Sequence, residues 1–223
     1  MRILKQILGV LALCSMFTSA GAAPANPANG VEYRTLPTPQ STDSGKKIEV
    51  IEFFAYYCPH CYAFEPLLAA WVKKQGDNIV FKRVHVPYNE STLPQQRLYF
   101  TLEALGLTEQ YHAKVFNAMH VERNRLNRDE MVFDWAEKNG IERKKFMDTY
   151  RSFGVQAKVR HADAMMDAYK IDSWPMIAVD GRYLTSPHLA GQGTQSQPSE
   201  AELHAGALQV MDFLVAKAKA EKK

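Results

Sequence analysis

Two cysteines separated by two residues carry the clearest chemical signal in this chain. Residues 53–66 read FFAYYCPHCYAFEP, which places Pro59 and His60 between Cys58 and Cys61. A pair with this spacing can bind a metal ion, hold a haem, cross-link a loop, or exchange electrons by forming and breaking a disulfide. The surrounding residues distinguish between these uses.

The sequence argues against a metal site, a haem and a purely structural bridge. A structural zinc site needs four Cys or His ligands, and the chain has no second CxxC pair and no HxxxH pair. Covalent haem attachment needs a histidine directly after the second cysteine, where this chain has Tyr62. A disulfide between residues three apart closes almost no loop and constrains the unfolded chain very little. Redox exchange without a metal or other cofactor is therefore the predicted chemistry.

The local sequence favours a stabilised thiolate at the first cysteine. If a helix begins near Pro59, Cys58 lies at its N-terminal end, where unpaired N–H groups and the helix dipole stabilise negative charge. His60 can add a hydrogen-bond donor or a positive charge, and proline suits the first helical position. Because the thiolate exists only in the reduced protein, its stabilisation favours reduction and predicts an oxidising disulfide. Cys61, one turn later, is expected to be more buried and to act as the resolving thiol.

The elements expected to position this pair form a strand–helix–strand unit. Residues 48–55 are apolar apart from Glu49 and Glu52, as is typical of a central parallel strand. A helix is predicted over residues 59–74, with a kink at Pro66, and a second strand over residues 79–86. This order predicts a right-handed crossover.

The rest of the chain changes in character twice. Residues 31–36 read as a short edge strand, and between residues 91 and 169 helical periodicity dominates, over 94–105, 109–119, 128–138 and 155–169. Strands are predicted at 176–179 and 182–184, joined by an Asp180-Gly181 turn. A polar loop over 185–198 then leads to a final helix that starts at Ser199.

The N-terminus has the features of an export signal. Arg2 and Lys5 precede an apolar stretch, residues 7–17, and the small residues 20–22 suit a cleavage site. Removal of residues 1–22 would leave 201 of the 223 residues, lower the formal net charge from +3 to +1, and take away Cys14, so that Cys58 and Cys61 become the only cysteines. The charge indicates no nucleic-acid surface.

Three stretches of the sequence resemble one family. VIEFFAYYCPHCYAFEP, the later VHVPY, and WPMIAVDGRY are similar to segments of the DsbA family of periplasmic thiol oxidases. The resemblance implies an α/β thioredoxin fold, with a central mixed sheet flanked by helices and an inserted α-helical domain. It divides the chain into a thioredoxin-like domain, residues 23–90 and 170–223, and a helical insertion, residues 91–169.

The resemblance also implies roles for individual residues. Cys58 would be the exposed sulfur that substrate thiolates attack, Cys61 would regenerate the dithiol, and Pro59 and His60 would set the redox potential. Pro175 would be a cis-proline facing the disulfide, on a loop that binds extended substrate backbone.

Two features depart from the family pattern. Trp174 stands before that proline where the family commonly has Val or Thr, so the resemblance does not define the rim of the site or the substrate preference. The connection SPHLAGQGTQSQPSE before the last helix also differs from familiar members.

The partners and location follow from the same resemblance. The expected protein is a periplasmic monomer that oxidises reduced, unfolded or partly folded exported proteins and is reoxidised by a membrane quinone-linked oxidase of the DsbB type. A disulfide isomerase or reductase on the same fold, and a non-catalytic thioredoxin-like binding module, are the alternative functions.

Two acids near the motif have open interpretations. Glu52 interrupts an apolar strand, so it could relay protons to or from Cys61 or could be an ordinary acid at a sheet end beside water or a lysine. Glu65 could pair with Lys82 or Arg83, either as a plain salt bridge or as a redox-tuning contact.

Overall fold

The structure is a computed structural model that describes residues 26–194 and 197–222. The predicted export signal, residues 1–22, lies outside the described residues. Within the described part, every helix is too short or too polar to cross a lipid bilayer.

A five-stranded mixed sheet forms the centre of the molecule. Its strands are β1 (Arg34–Thr35), β2 (Ile48–Phe54), β3 (Ile79–His85), β4 (Met176–Val179) and β5 (Tyr183–Thr185), in the spatial order β1-β5-β4-β2-β3. β2 runs parallel to β3, as predicted, and antiparallel to β4. The predicted first strand is shorter than expected, because only two of its residues pair, with β5.

Strand β2 is buried along its whole length, which explains its apolar sequence. Ile48 and Val50 belong to one core, formed with helices α1 (Pro59–Gln75) and α8 (Glu200–Glu221), whereas Ile51 and Phe53 belong to a second core shared with the helical segment. A strand covered on both faces cannot alternate apolar and polar residues. The central position of β2 puts its C-terminal end, and the cysteines that follow, between the two cores.

The helical segment predicted between residues 91 and 169 contains five helices. They are α2 (Leu93–Ala104), α3 (Thr108–His120), α4 (Asp129–Lys138), α5 (Arg143–Tyr150) and α6 (Phe153–Tyr169). Helix α5 was not predicted, because its eight residues bury only Phe146 and Tyr150 and give a weak periodic signal.

The C-terminal part follows the prediction with one correction. Asp180 and Gly181 both have positive φ in the β4–β5 turn, and Ser199 caps α8 in a reciprocal capping box with Glu202. The predicted loop over 185–198 is wrong in part, because a short helix, α7 (Pro187–Ala190), lies inside it. Ser186 caps this helix and proline occupies its first turn, so local capping supports a helix that a loop-like composition concealed.

Candidate active site

Cys58 is the N-cap residue of α1, where the sequence predicted it. Its sulfur accepts a hydrogen bond from the Cys61 N–H at 3.2 Å, and Pro59 occupies the first turn. Both cysteines are free thiols in this structure. Cys58 is 5% exposed and Cys61 is fully buried, so Cys58 is the more accessible sulfur, although far less exposed than the resemblance implied. The Trp174 carbonyl, 3.7 Å from the Cys58 sulfur, is part of its cover.

The pKa values of the two thiols are shifted in opposite directions. A hydrogen bond from the Cys61 side chain, the backbone N–H groups of Cys61 and His60, and the charge of His60 lower the pKa of Cys58 to about 7, against the opposing effect of burial. Burial raises the pKa of the Cys61 thiol well above its ordinary value, and the neighbouring Cys58 sulfur raises it further. Near neutral pH the reduced pair therefore has a substantial fraction of thiolate on Cys58 and a protonated thiol on Cys61.

The loop before β4 faces this pair. The Trp174–Pro175 peptide bond is cis, as predicted. The Trp174 ring lies 6.0 Å from Tyr57 and 6.5 Å from Tyr88, measured between centroids, and Tyr88 is 71% exposed. We call these three residues the aromatic rim; they form an apolar edge beside the sulfur of Cys58.

His60 points away from the core and towards the last helix. Its side chain is 70% exposed, and its Nδ1 atom lies 2.7 Å from Glu200 Oε1. The hydrogen bond with Glu200 raises the pKa of His60, which favours the charged imidazolium. The sequence analysis did not identify Glu200, because 140 residues separate it from His60.

A buried group of charges lies beneath the cysteines. Glu52 is fully buried, and its Oε2 atom accepts a hydrogen bond from Arg83 Nε at 3.0 Å. Arg83 Nη2 contacts both carboxylate oxygens of Glu65, at 2.8 and 3.1 Å, so one guanidinium serves two acids. Burial raises the pKa of Glu52 to about 8, although Arg83 opposes this shift. Of the two partners considered for Glu65, Arg83 is the one in contact.

Glu65 is held in its charged form despite its burial. His112 Nε2 lies 3.3 Å from Glu65 Oε2, and this histidine together with Arg83 lowers the pKa of Glu65. Burial lowers the pKa of His112, so its ring is neutral near pH 7. Arg83 thus forms an ion pair with the ionised Glu65 and donates a hydrogen bond to the neutral Glu52.

Three histidines hold Tyr56, two residues before Cys58. The Tyr56 N–H donates to His85 Nε2 at 3.0 Å, its carbonyl accepts from His120 Nε2 at 2.8 Å, and its hydroxyl lies 3.0 Å from His112 Nδ1. Burial lowers the pKa of His85 to about 3, which keeps its nitrogen available as an acceptor. His85 is therefore a packed strand residue that anchors the chain before the motif.

The sequence analysis missed His112 and His120, although a signal for them exists. They are eight residues apart on α3, a spacing that places both on one face of a helix. Which face points at the redox motif depends on how the helical segment packs. In the described part of the chain, no three His, Cys, Asp or Glu side chains converge to hold a metal ion.

Comparisons with known proteins agree with this geometry. The model of the DSBA-like thioredoxin domain family matches residues 49–202, more than half of the chain. The thiol:disulfide interchange protein DsbA of Burkholderia cepacia is 42% identical over 216 residues, which cover 95% of this chain and 96% of the relative. The protein of the same name from Bordetella pertussis is 41% identical over 207 residues, or 92% and 94% of the two chains.

Solved structures give the same result. The crystal structure of Pseudomonas aeruginosa DsbA superposes with a TM-score of 0.77 at 31% identity and covers 86% of this chain and 94% of that chain. The oxidoreductase DsbA from Xylella fastidiosa gives a TM-score of 0.75 at 25% identity, with 87% and 98% of the two chains covered.

Proposed function

This chain belongs to the family of DSBA-like thioredoxin domains and is a thiol:disulfide oxidoreductase, and we propose that it donates the Cys58–Cys61 disulfide to exported proteins during oxidative folding. The observation that supports the direction of transfer is the hydrogen bond from the Cys61 N–H to the Cys58 sulfur at the N-terminus of α1. This contact stabilises the thiolate that exists only after the disulfide has been donated.

The proposed exchange has two steps. A substrate thiolate attacks the Cys58 sulfur of the oxidised pair, a mixed disulfide forms, and the electron pair of the broken S–S bond goes to Cys61. A second substrate thiolate then attacks the substrate sulfur of the mixed disulfide and releases Cys58 as a thiolate. The substrate leaves with a new disulfide, and the protein retains the two electrons, so the disulfide itself is the oxidant.

We propose that Glu52 transfers a proton to and from the Cys61 sulfur. The departing Cys61 sulfur has a raised pKa and must take up a proton in its buried position. Glu52 holds a proton near neutral pH because burial raises its pKa to about 8, and the charges of Glu52 and Cys61 interact. Of the two interpretations of Glu52, we therefore propose the proton relay.

The substrate is proposed to bind across the Trp174–Pro175 loop. The Trp174 carbonyl beside the Cys58 sulfur gives an extended substrate backbone a hydrogen-bond acceptor, and the aromatic rim offers an apolar surface next to it. Pro59 starts α1, and His60 adds positive charge beside Cys58. Both residues are proposed to set the redox potential.

The proposal extends to organisation, location and partners. Residues 1–22 would be the export signal, residues 23–90 and 170–223 the thioredoxin-like domain, and residues 91–169 the helical insertion. The mature protein would act as a monomer in the periplasm, on reduced and incompletely folded proteins. A membrane quinone-linked oxidase of the DsbB type would reoxidise it.

The test is direct oxidation of a substrate. The oxidised protein, with residues 1–22 removed, is mixed with a reduced, unfolded protein that contains cysteines, and loss of substrate thiols is followed beside a Cys58→Ser variant. We expect rapid, stoichiometric thiol loss with the wild type alone. Equal rates for the two proteins would refute the oxidase assignment. Faster repair of scrambled disulfides than oxidation of thiols would indicate an isomerase instead.

A further inference from the structure

His60 is the ionisable residue between the two cysteines, and it is joined to a distant part of the chain. Its Nδ1 atom lies 2.7 Å from Glu200 Oε1, in the first turn of α8. The capping box of Ser199 and Glu202 defines the start of that helix and so fixes the backbone from which Glu200 extends. This is the end of the connection over residues 186–200 that departs from the family pattern.

We propose that Glu200 is a positioning residue that holds the His60 imidazolium beside Cys58 and thereby tunes how strongly the disulfide oxidises its substrates. The proposal rests on the oxidase function proposed above. It assigns to the last helix a control over the redox motif that the CPHC sequence alone does not contain.

Electrostatic interactions connect Glu200 to His60 and His60 to Cys58. The hydrogen bond with Glu200 raises the pKa of His60, and the charge of His60 in turn lowers the pKa of Cys58. The effect on Glu200 is reciprocal, because His60 lowers the pKa of its carboxyl group. Glu200 thus affects the Cys58 sulfur indirectly, because it favours the charged form of the His60 imidazole and that form stabilises the thiolate.

A second histidine faces the same carboxylate. His204 Nε2 lies 3.9 Å from Glu200 Oε1, one turn along α8, and its ring packs against Phe64 of α1 at 5.1 Å between centroids. Burial lowers the pKa of His204, so it is neutral near pH 7 and leaves the carboxylate to His60. In acid it gains a charge and competes for Glu200.

Solvent limits how far Glu200 can shift the titration of His60 and Cys58. Exposed ion pairs are weak because water and salt screen them. We therefore expect Glu200→Gln to lower the His60 titration midpoint and to raise that of Cys58 by less than about 0.3 unit, which is under twofold in the redox equilibrium. Both shifts should shrink in high salt.

A double-mutant cycle tests whether Glu200 acts through His60. The Glu200→Gln, His60→Gln and doubly substituted proteins are compared with the wild type and with Glu130→Gln, which removes one exposed, ion-paired carboxylate of α4 and serves as the control. Three quantities are measured: the His60 titration by NMR, the Cys58 titration by thiolate absorbance, and the equilibrium with glutathione.

The expected result is that Glu200→Gln shifts the Cys58 titration when His60 is present and leaves it unchanged when His60 is replaced. Equal shifts in both backgrounds, or none in either, would overturn the proposal. Failure of the oxidase function is distinguishable, because the His60 titration reports the contact whether or not the protein oxidises a substrate.

Discussion

Replacement of Glu52 by Gln should make the protein less sensitive to rising pH. Glu52 is fully buried; its Oε2 atom contacts Arg83, whereas Oε1 has no hydrogen-bond partner among the described residues. Burial raises the pKa of this carboxyl from 4.5 to about 8. Gln has nearly the same shape and does not ionise, so the substitution isolates the titration.

The magnitude follows from proton linkage. Between pH 5 and pH 8 the folded protein keeps the Glu52 proton, whereas the unfolded chain has released it. The unfolded state thus binds one proton fewer, and the free energy of unfolding falls by about 1.4 kcal/mol per pH unit. A raised folded-state pKa gives stability that is present below the unfolded pKa and lost as pH rises to the folded pKa. Over three pH units the wild type should lose about 4 kcal/mol relative to Glu52→Gln.

Urea unfolding at half-unit intervals from pH 5 to pH 8.5 measures this difference. Both proteins are studied reduced and oxidised, because Cys58 ionises only in the reduced form, where its charge also raises the pKa of Glu52. The oxidised form therefore reports the titration of Glu52 without that contribution. The stability difference should change with pH in both redox forms and level off above about pH 8. Parallel curves across the whole range would show that Glu52 is ionised in the folded protein, and the proton relay would then be refuted.

Three further predictions concern the thiols and the residues that hold them. Cys61→Ala should accumulate a mixed disulfide with a substrate that already contains a disulfide, because the Cys58 thiolate attacks that bond, one substrate thiolate leaves, and no Cys61 thiol remains to release Cys58; non-reducing electrophoresis should detect it, and its absence would show that Cys58 does not exchange with substrates. Alkylation of Cys58 in the reduced protein should rise with pH around a midpoint of about 7, and a midpoint near 9 would contradict the stabilised thiolate. His120→Phe should keep the stacking on Tyr62 but lose the hydrogen bond to the Tyr56 carbonyl, which should lower the free energy of unfolding by about 1 kcal/mol. His120→Gln, which restores a donor, should recover this stability, and equal losses in the two variants would show that the hydrogen bond does not stabilise the fold.

The chemistry of the motif could be predicted from sequence because it depends on local physics. The position of Cys58 at a helix N-terminus follows from the order apolar strand, CPHC, helix, and Pro59 and the stop at Gly76 define that helix at both ends. The central strand was predictable for the same reason, since burial on both faces leaves an uninterrupted apolar sequence. Glu52 could be recognised as unusual because it breaks that sequence.

The partners of these residues depend on tertiary structure. Arg83 joins Glu52 to Glu65 only because β3 pairs beside β2 in the observed register. His112 and His120 act on Tyr56 because α3 packs against the redox helix, and Glu200 reaches His60 from the last helix of the chain.

The difference between the features that could be predicted from sequence and those that could not has a physical reason. Secondary structure, capping and a thiolate at a helix end depend on residues within one or two turns, so the sequence by itself determined the strand–helix–strand unit and the redox pair, and its resemblance to the DsbA family implied the fold class. The acidity of buried groups depends on which charges lie within a few ångströms, whatever their distance along the chain. Only the packed structure decided that Glu52 keeps a proton, that Cys58 is largely covered, and that His60 is paired with Glu200.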